Sequence, residues 1–131
     1  MRIVLATVIY LVVSSAFAEP PAGTDMAGPE HLWWECHQQP SNNVSCCSVA
    51  DGHSLGDADW KAGKDGYKVR INGSWYDVPQ KTILRSDSCG PDPNDRGMSD
   101  AKVWYTWMPD PASGYTVSIP DILCFMPGVF Y

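Results

Sequence analysis

Five cysteines in a chain of 131 residues place the strongest constraint on how this sequence can fold. They stand at Cys36, Cys46, Cys47, Cys89 and Cys124, so all of them follow the first 18 residues. In an oxidising compartment such cysteines form disulfide bonds, whereas in the cytosol they stay reduced. The compartment to which the chain is directed therefore decides whether these residues cross-link the fold.

The first 18 residues have the pattern of a secretory signal peptide. Arg2 precedes an apolar run over residues 3–13, and small side chains follow at Ala16 and Ala18, as signal peptidases require. The apolar run is shorter than the roughly 20 residues of a membrane-spanning helix. We therefore predict cleavage after Ala18, export to the periplasm or the extracellular space, and no stable membrane span after cleavage.

An odd number of exported cysteines leaves one thiol unpaired or joined to another chain. The sequence alone does not choose among the possible pairings. A bridge from Cys46 or Cys47 to Cys124 is favoured, because loop-closure entropy gives it about 4 kcal/mol, against about 3 kcal/mol for Cys36 to Cys46. The partners of Cys36 and Cys89 stay open.

Charge and composition exclude two classes of protein. The chain has 9 Lys and Arg residues against 15 Asp and Glu residues, which gives a formal net charge of −6. Nucleic-acid binding needs a basic surface that displaces counterions, so we expect no nucleic-acid partner. Hydrophobic residues make up 44% of the chain and charged residues 18%, so the composition is not that of a disordered protein.

The mature chain divides into a leader and one domain. Residues 19–30 are rich in Pro, Gly and Ala and contain little to bury, so we expect a flexible leader there. Residues 31–131 have the length of a single small domain.

The clearest structural pattern is a β-hairpin centred on Asn72-Gly73. Segments 67–71 and 74–78 flank this dipeptide, which tolerates the positive φ angles of a type I′ turn. In that register Arg70 lies opposite Trp75, and Lys68 lies opposite Asp77. The apolar face of the hairpin then consists of Tyr67, Val69, Ile71, Tyr76 and Val78.

Three further runs are typical of β-strands: 101–108, 115–119 and 122–126, the last two interrupted by Pro120-Asp121. We find no long window with a helical period that is free of Gly and Pro. We therefore predict a mainly β fold, namely a small antiparallel meander or open barrel of about five short strands cross-linked by disulfides. The cysteine-bearing N-terminal segment is expected to pack across it.

The Cys and His residues between positions 31 and 53 offer an alternative to disulfides. A structural zinc site uses four such ligands, often with paired C-x₂₋₄-C spacing, and this spacing is absent. We therefore expect no cofactor, and a zinc or copper site is the alternative hypothesis. The ligands of such a site would come from Cys36, His37, Cys46, Cys47 and His53.

Catalytic motifs do not stand out. The sequence lacks a G-x-S-x-G elbow, an H-E-x-x-H helix and a C-x-x-C pair, which are typical of hydrolases, zinc peptidases and thioredoxin-like proteins. A leftover cysteine near His37 or His53 keeps a thiol-dependent enzyme as a third hypothesis. We do not expect an enzyme.

Six tryptophans favour binding. Trp75 and Trp104 are predicted on an exposed sheet face, with Arg70 beside Trp75, where aromatic rings stack against sugars or peptides. The leading hypothesis is therefore non-enzymatic binding of a cell-envelope component or of a protein partner.

Several short elements, in a fixed order, resemble small exported proteins of proteobacteria. They are Ser45-Cys46-Cys47-Ser48, Asp51-Gly52-His53, the G-x-W-x-x-V-P segment 73–79, the V-W-Y run 103–105 and the C-F-M-P-G run 124–128. The resemblance covers residues 45–128. It implies an exported β-rich domain cross-linked by cysteines, and it implies no particular chemistry.

Overall fold

A computed structural model describes residues 19–85, 89–91 and 100–128, so the predicted signal peptide lies outside the described residues. The fold is mainly β, with six strands in two three-stranded antiparallel sheets. The strands are β1 (Gly52–Leu55), β2 (Trp60–Gly63), β3 (Gly66–Ile71), β4 (Ser74–Asp77), β5 (Ala101–Pro109) and β6 (Ser118–Met126). Two short helices, α1 (Pro29–Cys36) and α2 (Cys46–Val49), precede them. The predicted β-rich, disulfide-bonded fold is confirmed.

The hairpin predicted around Asn72-Gly73 joins β3 to β4. Asn72 and Gly73 have φ angles of 49° and 81°, as a type I′ turn requires. Arg70 pairs with Trp75 across the hairpin in the predicted register. β2 extends this hairpin into a meander with the order β2-β3-β4.

The second sheet has the order β1-β5-β6, with β5 in the centre. The sequence predicted no strand in residues 51–66, where β1 and β2 lie, because strands of four residues rich in Gly carry too few buried side chains to show a period. Pro120 was expected to interrupt two strands, but β6 continues through it opposite Trp107. β6 is an edge strand in this order, and an edge strand tolerates a residue that cannot donate to the ladder.

A β-bulge in β6 changes which side chains face each core. Trp104 pairs with Cys124 and Tyr105 pairs with Ile122, so Leu123 is an extra residue. Such a bulge shifts the side chains that follow it to the opposite face of the sheet. As a result Leu123 and Cys124 both contact the core on one side of the sheet, and Ile122 contacts the core on the other side.

The β1-β5-β6 sheet is therefore the middle of three layers. On one side it is covered by the segment that carries α1 and α2, which we call the helical segment. The core between them consists of Trp33, Trp34, Cys46, Cys47, Ala50, Leu84, Trp104, Cys124 and Met126. On the other side lies the hairpin sheet, and that core consists of Leu55, Trp60, Val69, Ile71, Val78, Ala101, Val103, Ile122 and Phe125. The expected packing of the cysteine-bearing segment across the sheet is present.

Residues 19–21, at the start of the predicted leader, lie against the domain in the structure. The carbonyl of Glu19 accepts a hydrogen bond from the amide of Gly52 at 3.1 Å. Pro20 and Pro21 are buried, and Pro21 packs on Gly52 where a side chain would otherwise stand. Proline rings on a glycine surface bury apolar area that a composition-based expectation does not count. Neither helix described by the structure has the length and apolar character needed to cross a membrane.

Candidate functional site

Two disulfide bonds join the helical segment to the rest of the chain. Cys46 on α2 is bonded to Cys124 on β6, 78 residues away, and both residues are completely buried. This bridge is one of the two long pairings favoured from the sequence. Cys36 at the end of α1 is bonded to Cys89, 53 residues away. Cys36 is exposed and Cys89 is partly buried, so the two bridges differ in their access to solvent.

Cys47 is the free cysteine. It is 3% exposed, and its thiol donates a hydrogen bond to the carbonyl of Trp34 at 3.6 Å. Burial raises the pKa of Cys47 to about 11, the nearby charge of Glu35 adds to the rise, and a hydrogen bond with the side chain of Trp104 opposes it. A raised pKa lowers the thiolate fraction at neutral pH, so burial disfavours Cys47 as a nucleophile.

The structure does not gather the metal-ligand candidates into one set. Cys46 is in a buried disulfide and Cys47 lies within the core. His53 on β1 stacks on Tyr105 of β5, with ring centroids 4.7 Å apart. The remaining candidates, Cys36 and His37, come together with Cys89, which the sequence did not associate with them. Among the described residues, ligand atoms of Cys36, His37 and Cys89 lie within 4.8 Å of one another.

His37 is completely buried at the end of α1. Its Nδ1 lies 2.9 Å from the carbonyl oxygen of Trp33, so Nδ1 must carry the proton and donate it. The other ring nitrogen, Nε2, has no hydrogen-bond partner. Burial lowers the pKa of His37, although the backbone contacts with Trp33 and Trp34 oppose this. The imidazole is therefore neutral, with a free lone pair in a buried position.

The Cys36–Cys89 disulfide is flanked by a hydrogen bond to the neighbour of Cys89 and by a groove beside Cys36. The indole Nε1 of Trp33 donates to the carbonyl of Gly90 at 3.1 Å, which holds the residue after Cys89 against α1. On the exposed side of Cys36 lies a groove of about 290 Å³, whose wall includes Pro40, Leu84 and Arg85. Cys36 therefore faces a cavity that a ligand can reach from solvent.

Trp104 was predicted on an exposed face, and this prediction is wrong. The side chain is completely buried, and its ring packs against Trp34 with centroids 5.8 Å apart. β5 is the central strand of its sheet, and the helices cover the face that would be open in an isolated sheet. The packing of α1 and α2 is a tertiary contact, so the alternation of side chains along β5 could not reveal it.

Trp75 is exposed, with 40% of its surface accessible. The Nζ of Lys61 lies 4.1 Å from the centroid of its ring, and the guanidinium carbon of Arg70 lies 5.8 Å from it. Arg70 is also ion-paired with Asp59 at 2.7 Å, whereas Lys61 has no acidic partner among the described residues. The outer face of the β2-β3-β4 sheet thus combines an aromatic surface with an unneutralised cation.

The end of the same sheet carries charges of both signs, and Lys68 there is ion-paired with Asp77. A second groove of about 190 Å³ is lined by Lys61, Lys64 and Lys68, together with Asp65 and Asp77. Four of the nine Lys and Arg residues of this acidic chain fall within residues 61–70. We call the exposed surface formed by Lys61, Lys64, Lys68, Arg70 and Trp75 the cationic aromatic face.

Two further aromatic side chains are exposed, which the sequence pattern did not predict. Trp107 is 45% exposed and Tyr115 is 70% exposed. β1 pairs with β5 only as far as Trp104, so the β5–β6 hairpin continues beyond the rest of its sheet. Trp107 follows Tyr105 on the same face of β5 and packs edge-on against it. Trp107 thus lies on β5 beyond the position where Gly52, the first residue of β1, pairs with Trp104.

Comparison of the chain with models of protein families, with curated proteins and with solved structures gives no match.

Proposed function

We propose that this chain is a non-enzymatic binding domain of the cell envelope and that its cationic aromatic face binds an anionic glycan. The observation that supports this proposal most directly is the position of Lys61 and Arg70 around the exposed ring of Trp75. Export is part of the proposal, and the two disulfide bonds are compatible with it.

The chemistry of this face suits a sugar ring that carries a carboxylate or a sulfate. An exposed indole offers a flat apolar surface with low conformational entropy, against which a pyranose ring can stack. Lys61 can pair with the acidic substituent, since it has no acidic partner among the residues described here. Arg70 is held in place by Asp59, so it offers a preorganised donor next to the ring.

The negative charge of the rest of the molecule favours binding of an anionic ligand at this face. The chain is acidic, with a formal net charge of −6, so most of its surface repels a polyanion. Lys61 and Lys64, which have no acidic partner among the described residues, therefore direct an anionic ligand to the β2-β3-β4 sheet. A neutral glycan would receive only the stacking contact and would bind more weakly.

The test is a titration of the purified domain with polygalacturonate, followed by intrinsic tryptophan fluorescence, with neutral dextran in a parallel titration. We expect binding of polygalacturonate that weakens as the salt concentration rises, and little binding of dextran. Trp75→Ala and Lys61→Gln should each weaken binding about fivefold, because a stacking contact and an exposed charge contact each contribute roughly 1 kcal/mol.

Trp107→Ala is the matched control, because Trp107 is exposed to a similar extent but lies on the other sheet. It should leave the affinity unchanged. Equal losses in Trp75→Ala and Trp107→Ala, or equal binding of the charged and neutral polymers, would contradict the proposal.

A further inference from the structure

The two disulfide bonds of this protein have different surroundings. Cys46 and Cys124 are both completely buried within the core between the helices and the sheet, where a thiol in solution cannot reach them. Cys36 is exposed and borders the groove of about 290 Å³. Only the second bridge is placed for exchange with an external thiol, since access to the attacked sulfur limits that reaction.

The second bridge also lies next to the imidazole of His37, one nitrogen of which has no partner in the oxidised form. A ring nitrogen of His37 and the sulfur atoms of Cys36 and Cys89 lie within 4.8 Å of one another. Nδ1 donates to the carbonyl of Trp33, so Nε2 is the nitrogen left with a free lone pair. A disulfide has no proton to donate to it, whereas a thiol has one.

Reduction would therefore satisfy a buried acceptor. Leaving such an acceptor unpaired is costly inside a protein, and a thiol of Cys36 or Cys89 would remove that cost by donating to Nε2. The two sulfurs would also stay close after reduction. The hydrogen bond from Trp33 to the carbonyl of Gly90 holds the neighbour of Cys89 against α1 without help from the disulfide.

We propose that the Cys36–Cys89 bridge is a redox-active disulfide that oxidises thiols arriving through the groove, with His37 as a positioning residue that stabilises the dithiol form. A thiolate attacks Sγ of Cys36, the bond to Cys89 breaks, and the released Cys89 thiolate takes a proton from solvent. A second thiolate then attacks the substrate sulfur of the mixed disulfide and releases Cys36, which is protonated in turn. One disulfide and two thiols become two protein thiols and one substrate disulfide, so two electrons pass to the protein.

The buried bridge between Cys46 and Cys124 is an internal control for this proposal. The oxidised protein is equilibrated in buffers with stepped ratios of reduced to oxidised glutathione, quenched by alkylation and mapped by mass spectrometry. We expect Cys36 and Cys89 to be alkylated while Cys46 and Cys124 remain bonded and the circular dichroism spectrum stays native. A trapped glutathione adduct should lie on Cys36. Reduction of both bridges together, only as the fold is lost, would overturn the proposal.

The role of His37 is tested with His37→Asn, since the Asn amide can still donate to the carbonyl of Trp33 but has no nitrogen at the Nε2 position. The midpoint of reduction should move about fivefold towards more reduced glutathione, as expected for one lost hydrogen bond. The matched control is His31→Asn on the same helix, whose Nδ1 likewise lies 2.7 Å from a carbonyl, that of Gly28. Equal midpoints in the two variants would refute the role of His37.

Two sources of substrate share this chemistry, a small thiol and a cysteine in a protein. A second series replaces glutathione with a cysteine-containing peptide of extended conformation at the same thiol concentration. Faster reduction by the peptide would support a protein substrate that lies in the groove, and faster reduction by glutathione would support a small thiol. Failure of both to reduce the Cys36–Cys89 bridge in the folded protein would overturn the proposal without affecting the proposed glycan binding.

Discussion

The contact between the N-terminal segment and the sheet depends on the absence of a side chain at Gly52. A Cβ atom at this position would lie 2.9 Å from Cδ and Cγ of Pro21 and 2.9 Å from Nε1 of Trp104. Ordinary contacts between such atoms are about 3.5–4.0 Å. Because the two neighbours include a completely buried ring of Trp104, Gly52→Ala requires movement that the core opposes.

We expect Gly52→Ala to lower the free energy of unfolding by about 2 kcal/mol, the usual cost of one extra methyl group in a well-packed region. For a domain of this size such a loss lowers Tm by about 8 °C. The measurement is urea or thermal denaturation followed by tryptophan fluorescence and by circular dichroism, with coincident transitions as the test of two-state unfolding.

Gly56→Ala is the matched control. Gly56 follows β1, is exposed and has an extended backbone, and a Cβ there would meet only a carboxylate oxygen of Asp59 at 3.9 Å. Its free energy of unfolding should change by no more than about 0.5 kcal/mol. If Gly52→Ala were equally harmless, Pro21 and Trp104 would not pack on Gly52 as described.

A double-mutant cycle separates the two neighbours. In the Gly52→Ala background, Pro21→Ala removes two of the three close atoms, so the double variant should recover about half of the lost stability. The coupling energy between the two sites should then be about 1 kcal/mol. Additive effects would show that Pro21 does not lie on Gly52 in solution.

Three further predictions follow from single groups. Cys47 has a pKa of about 11 rather than 9.0, so its thiolate fraction at neutral pH is about 100-fold lower. Iodoacetamide should therefore alkylate Cys47 only in denaturant. Rapid labelling of the folded protein would contradict the burial of this thiol. Burial lowers the pKa of His37 in the folded state, so below about pH 6.5 the unfolded chain binds a proton that the native state does not. The free energy of unfolding should therefore fall as the pH drops below about 6.5. In denaturation curves measured between pH 7 and 5, His37→Asn should reduce the change of the free energy of unfolding with pH. An unchanged pH dependence in this variant would refute the assignment to His37. Cleavage after Ala18 would place a new α-amino group at the nitrogen of Glu19, 2.9 Å from Oδ1 of Asp51, so Asp51→Asn should cost the mature protein about 0.5 kcal/mol, a loss that disappears at high salt.

Local patterns were enough to predict the hairpin and the class of fold. Asn72-Gly73 is a turn with its own backbone chemistry, and the alternation on either side sets the register without reference to the rest of the chain. The pairs Arg70–Trp75 and Lys68–Asp77 follow from that register alone. For the same reason the part of the candidate site that lies on this hairpin, Arg70 with Trp75, could be identified from the sequence.

The pairing of the cysteines could be predicted only in part. Entropy favours a long loop to Cys124 for either Cys46 or Cys47, because the two are adjacent in sequence. The short helix α2 decides between them: successive side chains on a helix point in different directions, and here Cys46 bonds to β6 while Cys47 packs with Trp34.

What the sequence determines by itself is therefore the information carried by neighbours along the chain: the β-rich class, the hairpin with its cationic aromatic side chains, and the presence of cysteines that can cross-link. The tertiary structure decides which side of β5 is covered, and so why Trp104 is buried whereas Trp107 is exposed. It also brings Cys89 to Cys36 and His37 across 53 residues. Both outcomes depend on how the helical segment packs on the sheet, and contacts between distant residues leave no period in the sequence.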